Sequence, residues 1–187
     1  MYKSSFDKDF DLNSTAQINV GGLVNSIRLI PLRSVVSIAE QVNGILPLNP
    51  IIALPSMRFY DIEIADNSGL HEETMTTGAN ENFWLEEVSF DIAKNRPGMV
   101  AFLREMNQVE WLVMVMTKNH DSFLLGDIEQ PLLLSEDSAT TEGRAGANKR
   151  VWKLSGMVKH PAYRIVGSYV DIDFSRAFNS SFNFSFE

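Results

Sequence analysis

Gln108 to Ile165 reads QVEWLVMVMTKNHDSFLLGDIEQPLLLSEDSATTEGRAGANKRVWKLSGMVKHPAYRI, and the fold turns on it. Val109 and Trp111 to Met116 are apolar almost without a break. Lys118-Asn119-His120-Asp121-Ser122 then supplies turn formers, and apolar character resumes at Phe123-Leu124-Leu125. Two short apolar runs around a polar turn predict a buried β-hairpin. After Gly126 the pattern loosens. Pro131 precedes Leu132-Leu133-Leu134, the small polar residues from Ser135 to Asn148 predict a loop, and Arg150 to Ser155 alternates as a strand does. No residue of the stretch has the character of a catalyst.

Working back from the hairpin, Met99, Phe102, Leu103 and Met106 fall at i, i+3, i+4 and i+7, which predicts a short helix over Met99 to Asn107. Asn95-Arg96-Pro97-Gly98 turns the chain before it. Val88, Phe90 and Ile92 alternate with Glu87, Ser89 and Asp91, and Tyr60, Ile62 and Ile64 share one side of an earlier run. These predict two partner strands, joined by a stretch from Asp66 to Glu81 whose Asn, Ser, Gly and Thr content reads as a mobile loop. Earlier still, Ser26 to Ile38 is extended with Pro31 inside it, which implies an edge strand or two strands meeting at a bend. Gln41 to Pro55 is punctuated by Gly44, Pro47, Pro50 and Pro55, so it should cross the surface irregularly, with a short strand at Ile51-Ile52-Ala53.

The fold class expected from this pattern is mainly β: a β-sandwich or strongly bent antiparallel sheet with one short packed helix and extended terminal arms. Residues 1–17 form an N-terminal arm, 18–172 the β-rich domain, and 173–187 a Phe-rich C-terminal strand or arm. At 187 residues and 44% hydrophobic content the chain can close one real core. No cysteine is present, which excludes disulfides, thiolate metal sites and cysteine nucleophiles. Neither a basic start followed by an apolar block nor a long uncharged apolar run occurs, so the expectation is a chain kept in a cytoplasm and not inserted in a membrane.

Net charge is −8, and its distribution matters more than its sum. Nine acids and no Lys or Arg lie between Arg58 and Lys94, and six acids and no Lys or Arg from Asn119 to Gly143. Such a surface repels a phosphate backbone, so static DNA binding is not expected. The plain reading is a solvated acidic face that keeps the protein soluble. The sharper one is a passage through which a polyanion slides without sticking.

Catalytic readings find little to stand on. His71 stands beside Glu72 and Glu73 in the predicted loop, His120 beside Asp121 in a turn, and His160 before Pro161. The His71-Glu72-Glu73-Thr74-Met75 run lacks the second histidine that a zinc helix needs at i+4. Joining His71, Glu72 or Glu73 with His120 and Asp121 would require two loops to meet, and satisfied surface histidines are the simpler reading. There is no Gly-x-Ser-x-Gly, and Gly143 to Arg150 has neither the glycine spacing nor the Lys-Ser/Thr pair of a phosphate loop. Trp84, Trp111 and Trp152 sit in strand-like runs, where tryptophan fills a core or an interface more often than it builds a sugar platform.

The order of elements carries one more implication. A strand pair, a proline turn, a short apolar-faced helix and the strand Glu110 to Met116 are followed by Leu124-Leu125-Gly126 with Pro131-Leu132. A Thr/Gly-rich loop then leads to Leu154-Ser155-Gly156 and His160-Pro161-Ala162. Over about residues 58 to 165 this resembles small β-rich virion structural proteins of the head–tail connector, neck or tail region of Bacteroidetes phages and prophages, including crAss-like phages. The resemblance implies a non-enzymatic subunit of a neck or connector ring, tail terminator or tail tube, with no cofactor or metal. Its partners would be further copies of itself and other virion proteins, and it would be assembled in the bacterial host cytoplasm and reside in the virion. DNA would pass it without specific binding. On that reading Glu72, Glu73, Asp127, Glu129, Glu136 and Asp137 are candidates to face the channel. Phe174, Phe178, Phe182, Phe184 and Phe186 are candidates for an oligomer interface, the last three alternating with Asn183, Ser185 and Glu187. The alternative from another class is a carbohydrate- or protein-binding β-sandwich module.

Overall fold

In the computed structural model, which describes residues 22–24, 26–54, 59–78, 81–92, 102, 106–135, 139–141 and 149–167, the predicted hairpin is present. Its strands are β8 (Trp111–Met116) and β9 (Ser122–Leu125), antiparallel from Met116↔Ser122 to Val113↔Leu125. The turn closes with the Thr117 N–H donating to Asp121 O (2.8 Å) and the His120 N–H to Thr117 O (2.9 Å), with His120 at φ 67°.

Eleven further strands complete the fold: β1 (Ser26–Pro31), β2 (Val35–Ile38), β3 (Ile45–Leu46), β4 (Ile51–Ala53), β5 (Tyr60–Glu63), β6 (Leu70–Thr77), β7 (Asn82–Ile92), β10 (Leu133–Leu134), β11 (Ala139–Thr141), β12 (Lys149–Val158) and β13 (Tyr163–Ile165). One sheet has the order β3-β13-β9-β8-β1-β5. A second has the order β10-β12-β7-β6, with β11 also on β12, and a two-stranded ribbon joins β2 and β4.

The three sheets make three layers. Ile27 and Leu29 of β1, Val113 and Val115 of β8, Val88 and Phe90 of β7, and Trp152 and Leu154 of β12 share one core between the two large sheets. On the other face of the six-stranded sheet, Leu112, Met114 and Met116 pack with Ile30, Leu46, Ile51 and Phe59, on the side of the β2–β4 ribbon. Strand β8 is therefore covered on both sides, and a strand with no wet face has no polar positions. Its unbroken apolar run is the result.

Arg28 is the one buried cation of the six-stranded sheet among the described residues. Its guanidinium meets the carboxylate of cross-strand Asp61 at 2.6 and 3.0 Å and lies 5.6 Å from the centre of the Phe59 ring.

Pro31 ends β1 and a single 3₁₀ turn, Leu32–Ser34, separates it from β2 in another layer, which is the bend anticipated. Strand β1 is internal, between β8 and β5, so the edge-strand option does not hold. The short strand at Ile51–Ala53 is also present. Phe102 and Met106 are helical, and Phe102 stacks on Trp152 (5.9 Å) while Trp111 Nε1–H donates to Met106 O (3.2 Å).

Three expectations fail. Asp66 to Glu81 is not a loop: Leu70–Thr77 pairs along its whole length with β7, because eight consecutive cross-strand partners outweigh a composition rich in turn formers. The real turns are Asp66–Asn67, with Asn67 at φ 59°, and Gly78 to Glu81. Nor is β7 the partner of β5. Strand β5 pairs β1, while β7 lies between β6 and β12 in the opposite sheet. Finally, Ala139–Thr141 of the expected Ser135–Asn148 loop forms β11 on β12. The arms, including Phe174, Phe178, Phe182, Phe184 and Phe186, lie outside the described residues, as do Glu136 and Asp137.

Candidate functional site

Side chains on a strand alternate between faces, so Glu72 and Glu73 part company. Glu72 is exposed on the outer face of β6, whereas Glu73 and His71 are half-buried and face the other sheet. Directly across the strand pair, Glu73 opposes Glu86 and His71 opposes Val88. Glu86 occupies an inward position in the series Glu86, Val88, Phe90, Ile92, and it is fully buried. The alternation of β7, extended back by one step, would have placed this acid in the core. Charge alone did not reveal it.

One oxygen of Glu86 accepts the Gly126 N–H at 2.7 Å, and the other, Oε1, has no hydrogen-bond partner. Burial, reinforced by the neighbouring Glu73 and Asp127 carboxylates and only partly offset by the Gly126 N–H, pushes its pKa up from 4.5 to about 8. At neutral pH this carboxyl holds a proton. Glu73 is likewise raised by burial, against a hydrogen bond from the Ala162 backbone. His71 is lowered to about 4 by burial, so it is neutral at pH 7. Its Nε2 lies 3.3 Å from Glu73 Oε1, outside the geometry of a hydrogen bond, and the contact is not an ion pair in that state. Its ring also approaches Phe123 of β9 at 6.0 Å.

Around this acid the conspicuous small motifs meet. Gly126 has φ 78°, where a side chain is strained, and a Cβ there would come within 2.6 Å of Leu132 Cδ1. A Cβ on Gly156 would come within 2.8 Å of Pro131 O. Pro131-Leu132 therefore threads between two glycines, and Leu132 is fully buried. His160 Nε2 is 3.3 Å from Asp127 Oδ2 and its ring stacks on Tyr163 at 4.1 Å. Burial first, then Asp127 and Glu86, raises the Tyr163 phenol. The Leu-Leu-Gly, Leu-Ser-Gly and His-Pro-Ala segments are the joinery that clasps Glu86 and closes this part of the sandwich.

The remaining candidates are dispersed. Asp127 is half-buried and Glu129 exposed, Asp121 pairs with Arg164 (2.5 Å), and His120 is exposed in its turn. His71 is thus a core-facing residue and not a surface loop histidine. Among the described residues no group of three or more His, Asp or Glu side chains is placed to hold a metal ion. Trp111 and Trp152 are core, with Trp84 half-buried. An open depression of about 390 Å³ is lined by Arg33, Asn107, Gln108, Val109, Glu110 and Leu133, and it includes no member of the Glu86 cluster. A carboxyl sealed from solvent, as that of Glu86 is, can store a proton and regulate stability. It cannot receive a substrate without opening.

The comparisons add no relative. No protein-family model, curated protein or solved structure matches this chain. Among the described residues no helix is long and apolar enough to cross a membrane.

Proposed function

We propose that the chain is a structural subunit of a phage particle, in a neck or connector ring, a tail terminator or a tail tube, and that it works by position and not by catalysis. The observation that carries the reading is the outer layer. Seven of the thirteen large exposed hydrophobics among the described residues lie between Val36 and Leu54 or at Val166, on the ribbon and around β3. Exposed apolar side chains gathered in one region of a surface are a common feature of protein–protein contacts. Strands β3, β5 and β6 also end their sheets, and sheet edges are where β-rich subunits join. The order of motifs over about residues 58 to 165, which resembles that of phage virion proteins, supports this kind of assembly.

In such a ring the partners are further copies and other virion proteins, and of the six acids named as channel candidates Glu72 and Glu129 are exposed among the described residues. A sugar-stacking platform is less well supported, since two of the three tryptophans are used inside the core. Sedimentation velocity and negative-stain class averages of the purified chain at rising concentration test the proposal. Closed rings or tubes are expected. A monomer at the highest soluble concentration would refute it.

A further inference from the structure

Taking the assembly reading as its basis, we infer that the apolar outer layer formed by β2, β4 and β3 is the seat for the Phe-rich C-terminal segment of a second copy of this chain. Val36, Ile52 and Leu54 stand exposed on the ribbon, and Ile45, Leu48 and Val166 around the β3–β13 edge. Residues 41–57 contain no charged side chain, in a protein whose composition is 21% charged. Residues 177–186, AFNSSFNFSF, are also free of charge and carry Phe178, Phe182, Phe184 and Phe186. Bringing the two together desolvates no ion, so apolar burial is not offset by a charge penalty. An extended segment with phenylalanine at every second position presents one aromatic face, the form that suits a shallow sheet surface.

The length of the segment brings a neighbour within reach. The Val166 N–H donates to Leu46 O (2.9 Å), and Gly167, at φ 80°, lies beside Leu48. Phe182 is 182 − 167 = 15 residues further on. Fifteen extended residues span about 50 Å. A folded chain of this length has a radius of gyration of about 16 Å and is ~40 Å across. That span exceeds the width of one subunit, so the segment can reach the next subunit's patch, and repetition of one such head-to-tail contact closes a ring.

Mixing two full-length variants tests this. Ile52→Glu spoils the seat and keeps the segment, and the combined change of Phe182, Phe184 and Phe186 to serine does the reverse. Val36→Glu replaces the first variant if it misfolds, and circular dichroism with thermal melting verifies the fold of each. Each variant alone should associate more weakly than the wild type, by on the order of a hundredfold. The equimolar mixture should give a discrete heterodimer by native mass spectrometry, since one good segment and one good seat remain. Variants that stay single when mixed would show that the segment covers its own subunit, and would overturn the inference. If the wild type forms rings and both variants do too, this contact is wrong and the assembly reading stands. If the wild type itself never assembles, both fall.

Discussion

Replacing Glu86 by glutamine asks whether a neutral carboxyl is built into the folded state. The unfolded chain releases this proton near pH 4.5 and the folded one near 8, so between those values the folded state binds more protons and stability falls as pH rises. At ~1.36 kcal/mol per pH unit the loss is about 3 kcal/mol by pH 7 and about 5 kcal/mol once both states are ionised. His71 acts in the opposite sense. Its folded pKa lies near 4 against 6.5 unfolded, so stability falls as pH drops below 6.5. From about pH 4.5 to 6.5 the two slopes cancel, and above 6.5 the Glu86 slope stands alone, worth ~2 kcal/mol up to pH 8. Glu73, also raised, adds to the fall in the same direction.

The variant keeps the acceptor for the Gly126 N–H but never ionises. Its stability should rise by up to about 3 kcal/mol from pH 4 to 6.5, as His71 dictates and Glu73 partly opposes, and lose the Glu86 slope above that. At low pH the variant should be slightly the weaker protein, because an amide nitrogen replaces the unpartnered Oε1 in a buried place. Urea unfolding at half-unit steps from about pH 4 to 9 reads both curves. If the two run parallel between pH 6.5 and 8, Glu86 is ionised in the folded protein and the account of the cluster is wrong.

Gly126→Ala should cost about 2–4 kcal/mol in the same assay, since the new Cβ meets Leu132 Cδ1 at 2.6 Å on a backbone with φ 78°; an unchanged midpoint would contradict the packing described. Trp152→Phe should be nearly neutral, because the lost ring area is offset by removing a buried indole N–H that has no partner. Trp111→Phe should cost ~1–3 kcal/mol more than that, through loss of the bond to Met106 O, and equal effects would refute the distinction. Asp61→Ala should destabilise by about 1–3 kcal/mol by leaving the Arg28 guanidinium without its carboxylate, and adding Arg28→Met should recover most of it, as thermal melts of the single and double variants would show.

Local patterning made the hairpin, the β7 alternation and the bend at Pro31 legible, because each follows from neighbours in sequence. Strand pairing was not. The alternations of β5 and β7 look alike, yet one strand joins β1 and the other β6, and nothing in a period-two pattern specifies the partner. For Leu70 to Thr77, composition gave the wrong answer outright, since the partner that makes it a strand lies across the Gly78–Glu81 turn.

The site was legible only in fragments, and the reason is physical. Acidic residues were weighed as a surface charge density, which treats Glu72, Glu73 and Glu86 as equivalent. A strand separates adjacent residues onto opposite faces, and burial then makes one carboxyl a proton store while its neighbour stays a solvated charge. The short motifs resemble those of a family, and their spacing has a mechanical basis. Gly126 supplies the N–H that Glu86 needs, and Gly126 and Gly156 leave the gap through which Pro131-Leu132 passes. His160 and Ala162 tether Asp127 and Glu73 beside it. A set of residues bound together by one buried acid resists piecemeal change. That constraint arises from the core itself, so it would hold equally in a ring subunit or a solitary binding module. The discriminating information therefore lies in the outer layer, whose exposed apolar side chains the proposed assembly would cover and an isolated domain would leave in water.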